Sequence, residues 1–150
     1  MLQNELEKLY HKYFKDSQII VTQRTILGRP FIDIRCYLAA NKNEFPHGIY
    51  DNDMFRIHIS LEAVKDLPDK IKFEYLSRSY IIKPQQDYYY CSYRNLTKRT
   101  RTLKRDTKTI LKEFDSLFKK LHNSLIEDIK NDNIHENYKE LLNKRIILWL

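Results

Sequence analysis

A chain of 150 residues that is 42% hydrophobic can bury one core, and with only 2 Gly and 4 Pro it has neither glycine-rich phosphate loops nor long flexible linkers. Lys and Arg number 27 against 20 Asp and Glu, a net charge of +7, so a negatively charged partner is expected. No apolar run approaches the ~20 residues that span a bilayer, and MLQNELEKLY does not read as a secretory leader, so the expectation is one soluble, cytoplasmic domain over 1–150 with no membrane association.

In chain order, Leu2 to Lys15 reads as an amphipathic helix, with Leu2, Leu6, Leu9, Tyr10, Tyr13 and Phe14 on one face. Ser17 to Leu27 and Phe31 to Ala39 read as a strand pair turned at Gly28-Arg29-Pro30. In the second strand Ile32, Ile34, Cys36 and Leu38 face a core, while Asp33, Arg35 and Tyr37 face the other way. Ala40 to Asn52 is a loop. Its Glu44, His47 and Asp51, with Asp53, lack the spacing of a known metal-ligand motif, so no metal is expected. Gly48-Ile49-Tyr50 resembles the first half of a GIY-YIG nuclease signature, but no second half follows.

Met54 to Leu61 alternates Phe55, Ile57, Ile59 and Leu61 with Arg56, His58 and Ser60, which makes a half-buried strand with His58 on its polar side. Glu62 to Asp66 is expected to form a helical turn ended by Leu67-Pro68-Asp69. Ile71 to Leu76 and Tyr80 to Lys83 read as a hairpin through Ser77-Arg78-Ser79, and Asp87 to Tyr93 as one more strand. Cys36 and Cys91 stand apart from any CxxC or Cys/His cluster and read as reduced, buried thiols.

Leu96 to Lys130 reads as a single helix of roughly 50 Å, its stripe running through Leu103, Ile110, Phe114, Leu117, Phe118, Leu121 and Leu125. Its beginning carries most of the charge. From Arg94 to Lys108 the cations Arg94, Lys98, Arg99, Arg101, Lys104, Arg105 and Lys108 face Asp106 alone, which leaves the rest of the chain near +1. Tyr89 and Tyr93, just upstream, join them as candidate binding residues, since tyrosines beside Arg and Lys suit base stacking or an interface hot spot. After Asn131-Asp132-Asn133 a last short helix ends in Ile146-Ile147-Leu148-Trp149-Leu150, which is expected to dock within a monomer.

The expected fold is α+β: an amino-terminal helix, an antiparallel meander of five to six strands, a long helix and a final short helix, with 1–94 forming helix and sheet and 95–150 a helical hairpin. That order resembles ubiquitin-conjugating and RWD-type domains in topology. No His-Pro-Asn precedes a cysteine, so no thioester chemistry is implied. Nucleophile-base sets and paired-acid motifs are missing, so no enzyme and no cofactor are expected. The small size, scarce glycine and abundant Lys, Asn, Ile and Tyr resemble accessory proteins of phages and mobile elements, anti-CRISPR proteins among them. That resemblance implies an inhibitor or adaptor whose basic helix engages a protein or nucleoprotein complex. Direct, sequence-non-specific binding of DNA or RNA is the alternative. Among the two, a remainder near +1 gives little extended track for a duplex.

Overall fold

A computed structural model describes residues 2–38, 53–82 and 94–150. Helix α1 (Leu2–Tyr13) leads into strands β1 (Ile19–Ile26), β2 (Arg29–Tyr37), β3 (Asp53–Val64), β4 (Leu67–Ser79) and β5 (Arg94–Lys104), followed by helices α2 (Thr107–Lys130) and α3 (Glu136–Trp149). The strands form one antiparallel sheet in the order β1-β2-β3-β4-β5. The fold is therefore α+β, a meander with helices on one face.

Period-two alternation explains which face they cover. Ile32, Ile34 and Cys36 of β2, Phe55, Ile57 and Ile59 of β3, and Ile71, Phe73 and Tyr75 of β4 are buried on the inner side. Against them α2 lays Phe114, Leu117, Phe118, Leu121 and Leu125. Phe114 meets Phe73 edge to face at 5.4 Å, and Phe14, just past α1, meets Phe55 at 5.6 Å. The two helices are joined by Tyr10 against Phe118 and by Asp115, which accepts from the Tyr13 hydroxyl at 2.9 Å and pairs with Lys12 at 2.7 Å. The last helix returns over this layer. Trp149 packs on Phe14 and donates from Nε1 to the Lys15 carbonyl at 2.7 Å, while Ile147 and Leu150 stay exposed. No helix among the described residues is long and apolar enough to cross a membrane.

Three elements differ from their sequence expectation. The long helix begins at Thr107, not Leu96, and the basic stretch before it is the edge strand β5. Thr97, Thr100 and Thr102 are β-branched and favour strand backbone, and Asp106 then opens the helix by accepting from the Thr109 amide at 2.8 Å. So 95–150 is not a helical hairpin: its first ten residues complete the sheet. The expected helical turn at Glu62–Asp66 is instead the end of β3 and a two-residue turn, Lys65-Asp66, with Asp66 at φ 64°. Ser77-Arg78-Ser79 is no turn either; β4 runs through it, burying Ser77 and Ser79. The Ala40–Asn52 loop and the Asp87–Tyr93 strand lie outside the described residues.

Candidate functional site

Strand β5 sorts the seven cations by the side they face. Arg94, Arg99 and Arg101 share the inner side with Leu103 and turn toward α2. Arg94 Nη1 donates to Asp128 Oδ1 at 3.0 Å, Arg101 Nη1 donates to Glu113 Oε2 at 2.9 Å, and Arg99 stands 3.9 Å from the other oxygen of Glu113. Glu113 and Asp128 are both buried, so these arginines are structural counter-ions that fasten the helix to the sheet edge. The expectation that these cations stand at the start of a helix is thus corrected: most stand on an edge strand, and three pair with carboxylates of α2. Lys98 and Lys104 point to the opposite side, and Arg105 and Lys108 follow at the exposed strand-to-helix junction. Tyr89 and Tyr93 lie outside the described residues.

The outer side of the sheet holds cations the sequence reading did not gather. All three described helices pack on the inner face, leaving no described element over this one. Register puts Arg35 of β2 opposite Arg56 of β3, and Arg56 opposite Arg78 of β4, a row of three guanidinium groups across the central strands. Asp53, 1% exposed, accepts from Arg35 Nη2 at 3.0 Å and from Arg56 Nε, so one carboxylate serves two arginines. The Arg35 guanidinium stands 5.6 Å from the Tyr37 ring centre and that of Arg56 stands 4.9 Å from Tyr80. At the other end of the face Lys70 lies directly opposite Lys104, with Lys72 and Lys98 between the two rows. Like charges directly opposed across strands destabilise a sheet by roughly 0.2–1 kcal/mol per pair. Their residue types are ordinary singly; only strand register makes the rows, so the sequence offered no local signal for them.

Between the rows His58 Nδ1 donates to Asp33 Oδ1 at 2.6 Å, and the other oxygen of Asp33 pairs with Arg24. The imidazole is therefore held on the outer face with Nε2 turned from Asp33, an orientation a general base also needs. The pair is a hydrogen-bonded contact across β2 and β3. Cys36 is buried in the core, and burial pushes its thiol far up, which makes it unreactive. No group of three or more His, Cys, Asp or Glu that could hold a metal occurs among the described residues. No protein-family model, curated protein or solved structure matches this chain.

Proposed function

We propose that this chain is a non-enzymatic binding protein whose contact surface is the outer face of the sheet, and that its ligand is a polyanion, the phosphate backbone of DNA or RNA, held without sequence preference. The observation that carries this is the pair of like-charge rows, Arg35-Arg56-Arg78 and Lys70-Lys104, set on the face that no described helix covers. Opposed lysines weaken a sheet by themselves, and in the arginine row two guanidinium groups share the one Asp53 carboxylate, which leaves that pair with net positive charge. A phosphate seated on each row reverses the sign of that cost and gains charge-assisted hydrogen bonds. The arginine row is further suited to phosphate because guanidinium forks match its geometry, and two of them stand over the Tyr37 and Tyr80 rings.

The test is titration of a fluorescent polynucleotide across a salt series. Contact with about five phosphates predicts that log affinity falls with log salt at a slope near −4. Absence of any binding at low salt would end this assignment.

A second assignment keeps the binding surface but changes the partner. The chain would be an inhibitor or adaptor of the anti-CRISPR kind, pressed against a nucleic-acid-processing protein complex. One observation favours it: Ile26, Leu27 and Leu67 are exposed at the tips of the β1-β2 and β3-β4 hairpins, where a phosphate backbone has no use for them. Capture of a protein from lysate that survives nuclease and is lost in a Leu27→Asp variant would support the partner-protein assignment over the nucleic-acid one.

A further inference from the structure

We infer that the ligand of the outer face is a single-stranded nucleic acid lying across the strands from β2 to β5, with phosphates on the two cation rows and unpaired bases on the aromatic residues beside them. This rests on the polyanion reading above and narrows it. Phe31 and Tyr37 both project from the outer side of β2, six residues apart, which is roughly 20 Å along an extended strand. The cation rows are separated by a similar length, eight residues of β4 from Lys70 to Arg78, or roughly 27 Å. Phosphate-holding and base-holding groups therefore run side by side along the same direction.

Two features of the track suit an unpaired strand and not a duplex. Tyr37 and Tyr80 each stand beside a guanidinium group, and aromatic rings among cations offer a stacking partner to the exposed face of a base. A duplex keeps its base faces inside the stack and gains nothing from them. Between the rows the face presents carboxylates, Asp33 on β2, which is engaged with His58 and Arg24, and Glu74 on β4, whose charge repels a continuous line of phosphate. The same carboxylates accept hydrogen bonds from exocyclic amino groups once the bases are turned toward the protein. RNA and DNA single strands share this chemistry, and either qualifies as the ligand.

The experiment compares an unstructured oligonucleotide of about 12 residues, as RNA and as DNA, with a blunt duplex of the same sequence, alongside retention on heparin. At least one single strand should bind about tenfold or more tighter than the duplex. Phe31→Ser should lose about tenfold on the single strand, yet change duplex binding and heparin retention less than about twofold, and Tyr37→Ser should also lose about tenfold on the single strand. Should Phe31→Ser melt early, Phe31→Leu keeps the apolar bulk without the ring and is expected to lose the same single-strand affinity. A duplex bound as tightly as the single strand, or folded ring variants that bind like the parent, would overturn the inference while heparin retention left the polyanion reading standing. Failure to bind heparin and every nucleic acid would remove both.

Discussion

Leu27 occupies a backbone position that few residues of its kind accept. With φ at 51° for Leu27 and 78° for Gly28, the β1-β2 hairpin closes in a turn with both central residues left-handed, and the Leu27 side chain is 99% exposed. Asparagine tolerates that conformation much better, so Leu27→Asn should raise stability by about 0.5–1 kcal/mol, read as a shifted urea midpoint with unchanged slope. Arg94 illustrates the opposite case. Removing it leaves the buried Asp128 carboxylate with Asn133 as its recorded side-chain partner, and Arg94→Ala should cost about 2 kcal/mol in the same assay. Glu113 keeps a second arginine, so Arg101→Ala should cost less. Counting charges along the chain could not reveal any of this, because the counter-ions stand 12 and 34 positions downstream of the arginines they neutralise. The middles of β2 and β3, in contrast, were legible residue by residue, since Ile32, Ile34 and Cys36 and then Phe55, Ile57 and Ile59 take alternate positions and are buried.

At the scale of elements, the start of α2 carries a pH signature. The Thr109 amide, with its hydroxyl, holds the Asp106 carboxylate below the usual aspartate range. A depressed carboxylate contributes stability that is present above the ordinary aspartate pKa and is lost as pH falls through the folded one. Asp106→Asn, which keeps the cap without the charge, should therefore flatten the acid side of the stability profile. Thermal melts from pH 7 down to pH 2 would detect it. The packing of the same helix rests on Phe114, fully buried against Phe73, and Phe114→Ala should cost about 3–5 kcal/mol in the urea assay. The apolar stripe from Ile110 onward made this helix readable in advance. Its first turn was misplaced because Lys and Arg are good helix formers and Leu103 falls in phase with the stripe, while the alternating threonines and the Asp106 cap carried the correct boundary.

For the whole molecule, the division is between a fastened side and one that no described helix covers. The inner face holds the apolar core and buried ion pairs to α2; the outer face sets cations opposite one another across strands, Arg35 and Arg56 sharing the Asp53 carboxylate. The fold class was legible in the sequence, but Lys98 and Lys104, expected at a helix start, stand on edge strand β5, and Arg35, Arg56, Arg78 and Lys70 join them only through strand register. Two charge reversals of equal size separate a binding face from mere net charge. Lys70→Glu with Lys104→Glu alters the outer face, whereas Lys119→Glu with Lys120→Glu alters exposed positions on α2. The deciding measurement is the salt dependence of single-stranded RNA and DNA binding by these two double variants beside the parent. Binding on the outer face predicts that the first variant loses affinity and that its log–log slope shallows by roughly 1.5, while the second keeps the parent's slope. Equal slopes in all three proteins, or an effect confined to the α2 variant, would contradict it.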